Sequence, residues 1–324
     1  MPRLHPRLVA PLLGAWLCAG CDSNGGSDAA AGPDAPGGKG DSIDGDAATC
    51  EGAVPPRVQL VNNSRGPWGP EPSPTPIPNL AETSDAELDD ALGELAQAVE
   101  LAPYPFSGCH DRAHLTYLRL AALLGTDRVA KVWVFSPTLL TVALSGAIES
   151  PVDADRWGDD VTRWDYHVAA IVQGESSLLV IDPVLADVDD PLTLGAWFGR
   201  MEIAPGSAYT IADGRYYSFN NAGPSDYSGG RRPVNGSMFR YDGFARSDRW
   251  LEKNLARDAV AVSLADGAGQ CPSLGALLLE PQALYDALVT ASASGTTAGC
   301  RPAVTLFQTE LAQWTEELAD LGAR

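Results

Sequence analysis

The stretch that most constrains this chain is "RWDYHVAAIVQGESSLLVIDPVL", Arg163 to Leu185. Arg163–Val172 and Leu178–Leu185 are short, apolar and rich in β-branched residues, and the polar "QGESS" between them suits a reversal, so the pair predicts an antiparallel hairpin. A turn centred between Glu175 and Ser176 sets Ala169 opposite Asp182 and His167 opposite Val184. His167 and Asp182 then share a face as diagonal neighbours, near enough for the carboxylate to hold the imidazole. A slip of one residue would send them to opposite faces. Taken singly, Asp182 also reads as a turn residue before Pro183 and His167 as a half-buried strand residue.

Such a hairpin needs a sheet around it and helices to cover it. In "TSDAELDDALGELAQAVELA", Ser84 or Thr83 can cap a helix, Glu87 stands at capping-box spacing from Ser84, and Leu88, Ala91, Leu92, Leu95 and Val99 recur at helical spacing. Pro103 and Pro105 end it. "GCHDRAHLTYLRLAALLG", Gly108 to Gly125, reads as an amphipathic helix that starts at Cys109, aligns Ala113, Tyr117, Leu120, Ala121 and Leu124 on one face, and stops at Gly125. "VAKVWVF", Val129 to Phe135, reads as a strand and "DADRWGDD" as a polar loop, while Gly214 to Ser237 is too dense in glycine and serine to be regular. After Cys271 the chain turns helical in "PQALYDALVTASA" and "AVTLFQTELAQWTEELADLG", as a C-terminal appendage. The class is α+β.

The first residues carry an address. Arg3 and Arg7 precede an apolar run, Leu8 to Ala19, that ends in "LCAGC", the pattern of a bacterial lipoprotein signal peptide over residues 1–20 with Cys21 as the lipidated residue. Ordinary secretion with cleavage nearby is the alternative. Residues 21–78 are a Gly-, Ala-, Asp- and Ser-rich tether followed by "RVQLVNNS", a candidate short strand, and the proline-rich "GPWGPEPSPTPIP". The expected location is the bacterial cell envelope, lipid-anchored or secreted. With a formal net charge of -20 the chain lacks the basic footprint that nucleic acid or an anionic membrane requires, so contact with a membrane is expected through the lipid alone, and a monomer is expected.

In an oxidising compartment cysteines pair. Cys271 and Cys300 flank a helical segment and are expected to form a disulfide, which leaves Cys50 without an assigned partner. Cys109 is different, because a thiol at a helix start feels the partial positive charge of free N–H groups that favour thiolate and can serve an oxyanion. A buried, inert or disulfide-bonded cysteine is the plain alternative. Of the histidines left after signal cleavage, His110 and His114 share the helix of Cys109, so the base is expected from His167. His114 reads as a packing or hydrogen-bonding histidine, and Arg112 as a partner in a structural ion pair or hydrogen bond.

"SGCHDRAH", "WDYHVAAIV" and "VIDPVL", in that order, resemble the motifs of the bacterial protein-glutaminase family, Gly-Cys-x-x-Arg-Ala-His, Tyr-His-Val-Ala and Ile-Asp-Pro. The resemblance covers about Asn79 to Cys271, leaving residues 272–324 as a helical extension. It implies a transglutaminase-like, papain-related core in which a helix carrying the nucleophile packs on an antiparallel sheet. It also implies a Cys109–His167–Asp182 triad that deamidates glutamine side chains of proteins through a thioester, with no metal or organic cofactor. A polypeptide-binding surface would include Trp164, Tyr166, Tyr216 and Tyr217, each of which equally suits a core, and residues 50–78 would be a masking pro-segment or a plain spacer. The competing readings are a transglutaminase, a cysteine peptidase or cell-wall amidase, and a non-catalytic surface lipoprotein.

Overall fold

The computed structural model describes residues 54–58, 61–62, 73–74, 78–98, 104–143, 161–221, 236–241, 248–267, 271–294 and 298–321. The signal-peptide reading, Cys21, Cys50, Val99 and the "DADRWGDD" loop lie outside the described residues. In chain order the strands are β1 (Val61–Asn62), β2 (Ser73–Pro74), β3 (Glu82–Thr83), β4 (Val129–Ala143), β5 (Val161–Gly174), β6 (Leu178–Ile181), β7 (Leu192–Thr193), β8 (Ala208–Asp213), β9 (Tyr216–Asn221) and β10 (Gly236–Arg240). The helices are α1 (Asp85–Ala98), α2 (Cys109–Leu124), α3 (Leu194–Gly199), α4 (Trp250–Ala265), α5 (Pro272–Gly275), α6 (Pro281–Ser294) and α7 (Arg301–Asp320).

The hairpin lies at the centre of the main sheet, whose order is β7-β6-β5-β4-β8, with β3 added in parallel at the end of β5. Its pairs run from Ala170↔Ile181 to Gln173↔Leu178, a register that continues to Ala169 and Asp182. The ladder stops at Ile181, so Asp182 leaves the sheet with its carboxylate free to turn. Along β4, Ala130, Val132 and Val134 alternate with Val129, Trp133 and Phe135, the two sets entering different apolar clusters, as period-two side chains must when both faces are covered.

The helix that opens with Cys109 is not amphipathic in place. Besides its apolar side chains, it buries Asp111, Arg112, His114, Thr116 and Arg119, because α2 touches β4, β5 and β9, as well as α1 and α4. Its polar groups are answered from those neighbours: Arg112 by Asp258, Arg119 by Glu317, Asp111 by the Tyr217 hydroxyl, and His114 Nδ1 by Lys131 Nζ at 2.7 Å. Lys131 is itself fully buried, and that burial pulls its ammonium pKa well below the usual lysine value.

One region differs from the sequence reading, and one that the reading left unassigned is a helix. Within Gly214–Ser237, Tyr216–Asn221 is strand and pairs antiparallel with Gly236–Arg240, so ladder pairing overrides a composition that reads as irregular. The stretch 250–265 forms α4, whose Leu251, Leu255, Ala256, Val260, Ala261 and Leu264 are buried at helical spacing. Leu274, Leu284, Leu288, Phe307 and Trp314 of the C-terminal helices join the same apolar cluster as Val132 and Ile171 of the sheet.

Cys271 and Cys300 form a disulfide across 29 residues of chain. On the chain-entropy model such a loop contributes about 3–4 kcal/mol. Replacing both cysteines by alanine is therefore expected to lower the urea midpoint and to raise the m-value, because the unfolded chain loses its cross-link and exposes more surface. An unaltered midpoint would mean that α4–α7 packing alone holds this region.

Candidate active site

Asp182 receives three donors. One carboxylate oxygen, Oδ2, lies 2.6 Å from His167 Nε2 and accepts from Trp197 Nε1 at 2.7 Å, while Oδ1 accepts from the Val184 N–H at 3.1 Å. Burial raises the carboxyl pKa, but the His167 charge and these donors outweigh it and hold the pKa below the ordinary value. Asp182 is thus a fixed anion facing an imidazole. With Nε2–H donating to the carboxylate, Nδ1 is the lone-pair nitrogen; it is buried and has no protein partner among the described residues. The ring is stacked between Trp164, at 4.2 Å between centroids, and Trp197, at 5.7 Å. Sequence reasoning missed Trp197, since nothing in "GAWFG" marks a tryptophan whose N–H completes a carboxylate shell.

Cys109 is the first residue of α2 and is partly buried against the cluster of Ala113, Trp133, Phe135, Val168 and Phe219, beside the strand that carries His167. The approach to it is tied to that strand: Trp164 Nε1 donates to the Pro105 carbonyl at 2.6 Å while its ring covers His167. Burial pushes the Cys109 thiol up to about 12, against the downward pull of the Arg112 charge and the His110 N–H; Asp111 and Asp182 add to the rise. The expectation that the helix start lowers this pKa is overturned, because desolvation in a packed site exceeds what one N–H and one guanidinium return. At that value the thiol is protonated in the neutral range.

Of the four aromatics proposed for substrate, Trp164, Tyr216 and Tyr217 are 7%, 5% and 1% exposed. Trp164 is engaged with Pro105 and His167, and Tyr217 with Asp111, so these rings build the site's walls and do not present a surface. Tyr166 is half-buried, stacked on Trp133 in the cluster that Cys109 contacts. His110 faces Asp111 and Tyr217, and His114 faces Lys131, so neither is directed to Asp182.

The N-terminal segment reaches this place. Tyr209 of β8 donates its N–H to the Pro56 carbonyl at 3.1 Å and accepts from the Val58 N–H at 2.7 Å, a parallel extension of the sheet by one bridge at Arg57. Val58 then packs on the same apolar cluster as Cys109. Val61–Asn62 pairs with Ser73–Pro74, so part of the proline-rich stretch is a short ladder.

A thiol at a helix start beside a strand that carries a His–Asp pair is a residue set that nucleophilic chemistry can use. Residues 94–201, about a third of the chain, match the family model described as Glutaminase, and this segment contains Cys109, His167, Asp182 and Trp197. Among solved structures, the chain is similar to a pro-protein-glutaminase (20% identity, 55% of this chain and 59% of that one, TM-score 0.36). It is also similar to a protein-glutaminase (20% identity, 58% and 89%, TM-score 0.35) and to the protein-glutaminase from Chryseobacterium proteolyticum (19% identity, 56% and 86%, TM-score 0.34). This chain therefore spans less than two thirds of the length of the pro-protein-glutaminase. No curated protein matches it.

Proposed function

We propose that this chain hydrolyses the side-chain amide of glutamine residues in proteins, with Cys109 as nucleophile. The observation that carries the reading is His167, held at Nε2 by Asp182 and without a partner at Nδ1 among the described residues, within the glutaminase-matched segment that also contains Cys109. His167 Nδ1 takes the thiol proton as sulfur attacks the γ-carboxamide carbon, and the N–H groups at the start of α2 receive the oxyanion. The tetrahedral species collapses by breaking its C–N bond, the His167 proton leaves with ammonia, and a thioester remains. Water, deprotonated by His167, adds to the thioester carbon and releases glutamate and the thiol. Tyr166 flanks the bound side chain.

Ammonia release from casein without crosslinking or backbone cleavage tests the reaction, since a transglutaminase would join chains through lysine and a peptidase would shorten them. An absence of ammonia release would sink the proposal. Export to the cell envelope with lipid on Cys21 belongs to the same reading, and mass analysis of the mature N-terminus checks it.

Residues 54–58 restrain this activity. Pairing with β8 and the packing of Val58 beside Cys109 support their lying where a substrate backbone would run, at the high effective concentration of a tethered segment. A chain starting at Asn79 is expected to release ammonia at least about tenfold faster than one starting at Asp22. Its Cys109 should also alkylate at lower pH, because burial is the largest cause of the raised thiol pKa. Equal rates would leave the segment a spacer.

A further inference from the structure

The loop before Cys109 is held by a device that the reaction scheme does not use. Arg112 donates through Nη2 to the Ser107 carbonyl at 2.8 Å and through Nη1 to Asp258 Oδ2 at 2.7 Å. Arg257 grips Asp258 Oδ1 through Nη2 at 2.6 Å and Nε at 2.9 Å, and its Nη2 also reaches the Ser107 hydroxyl at 3.2 Å. One carboxylate thus joins two guanidiniums, and both guanidiniums hold Ser107. All three charged side chains are buried, at 2%, 4% and 1% exposure for Arg112, Arg257 and Asp258. Burial raises the Asp258 pKa to about 6 against both arginines, which still leaves a carboxylate at neutral pH.

Buried ion triads are a poor way to gain stability, because apolar residues of the same volume serve as well. Their use is to fix geometry, and here the fixed object is the turn into α2. Gly108, between Ser107 and Cys109, has a φ of 78°, a left-handed conformation that favours glycine. A Cβ at that position would run into the Asp258 carboxylate. The turn and the carboxylate are therefore fitted to each other. Downstream of them stand the Cys109 sulfur, the His110 N–H that bonds it, and the Arg112 charge that favours its thiolate form.

We propose that Asp258, with Arg112 and Arg257, is a positioning residue for the deamidation: it locks the Ser107–Gly108 turn and so aims the first N–H groups of α2 at the oxyanion. The inference rests on Cys109 being the nucleophile. It also gives α4, which lies beyond the matched residues 94–201, a part in the active site. A positioning role acts on the transition state and leaves ground-state binding nearly unchanged, whereas a merely structural role changes stability alone.

The test compares Asp258→Asn and Gly108→Ala with wild type in the full chain. It reads kcat and KM for ammonia release, the thermal midpoint, and the iodoacetamide alkylation rate of Cys109 followed on its own peptide. Asp258→Asn keeps the shape but turns an N–H toward a guanidinium. Its kcat is expected to fall about 100-fold, with KM within about threefold, as for misplaced oxyanion donors. Alkylation should slow as well, a result that loss of a negative charge near a thiol would not by itself produce. Gly108→Ala, which leaves all three charges in place, should show the same kcat loss. A folded Asp258→Asn with wild-type kcat and alkylation rate overturns the proposal. If Asp258→Asn does not fold, Gly108→Ala decides: wild-type kcat in that variant overturns it equally. Wild-type protein that releases no ammonia would instead sink the deamidase reading, and the alkylation rates would still report on the turn.

Discussion

Cys109→Ala is expected to abolish ammonia release, with a residual rate on the order of 10⁴-fold or more below wild type, while the protein stays folded. The loss is this large because Cys109 is the one free thiol among the described residues, Cys271 and Cys300 being bonded to each other. The fold survives because the sulfur is partly buried at the edge of an apolar cluster, where its removal costs about 1 kcal/mol. Cys109→Ser should be equally inactive, since a hydroxyl is a far weaker nucleophile than a thiol facing the same base. Non-reducing peptide mapping adds a second check. Cys109 found bridged to another cysteine in active protein would remove it from the nucleophile's role.

The raised thiol pKa makes a statement about pH. A thiol that titrates near 12 is protonated throughout the neutral range, so in the full chain the alkylation of Cys109 should climb with pH well past the usual thiol value of 9.0. Asp182 acts in the opposite sense. Its folded-state pKa lies below the unfolded value, so its contribution to stability is present above that value and is lost as pH falls through the folded-state pKa, below 3.8.

Local pattern reached part of this site and stopped where distant partners take over. The β5–β6 register could be read from alternation and turn length, and it sets His167 and Asp182 on one face, with the contact at 2.6 Å. The Ser84–Glu87 capping box marks the start of α1 in the sequence, and Glu87 Oε2 does accept from the Ser84 N–H at 3.1 Å. The setting of α2 could not be read this way. Its face pattern suggests one wet side; Arg112 reads correctly as an ion-pair residue, but neither its partner Asp258, 146 residues away, nor the Glu317 partner of Arg119, 198 residues away, is marked in the sequence. Charged residues on a helix read as solvated unless their partners are known. Lys131 of β4 is likewise a charged residue that is fully buried, and the strand pattern around it does not mark this. Helix α4 had a legible apolar spacing, which was hidden behind a glycine-rich stretch that lowers expectation for everything after it.

On the proposed scheme His167→Ala removes the proton carrier for both halves of the reaction, and it is expected to lower kcat on the order of 10⁴-fold. The more telling comparison lies at Asp182. In Asp182→Ala the imidazole loses its anchor but keeps access to both tautomers, so part of the population still presents a bare Nδ1, and the loss should be nearer 10²-fold on the general scale of orienting groups. Asp182→Asn keeps the shape and inverts the hydrogen-bond logic. Three donors, His167 Nε2–H, Trp197 Nε1–H and the Val184 N–H, converge on two acceptor oxygens in the native site, and an amide supplies one oxygen and two further protons. If the amide oxygen stays with Trp197, the Val184 N–H meets an N–H donor. If it serves Val184, the NH2 group faces Nε2, which must give up its proton, and the imidazole carries its hydrogen on Nδ1, where the base is needed. Asp182→Asn should therefore be slower than Asp182→Ala, about 10³-fold or more below wild type, the scale of a triad histidine held in the wrong tautomer. Kinetics of both variants, with imidazole proton shifts from NMR to identify the tautomer, measure this directly. An asparagine variant more active than the alanine variant would mean that Asp182 contributes its charge and not the choice of nitrogen.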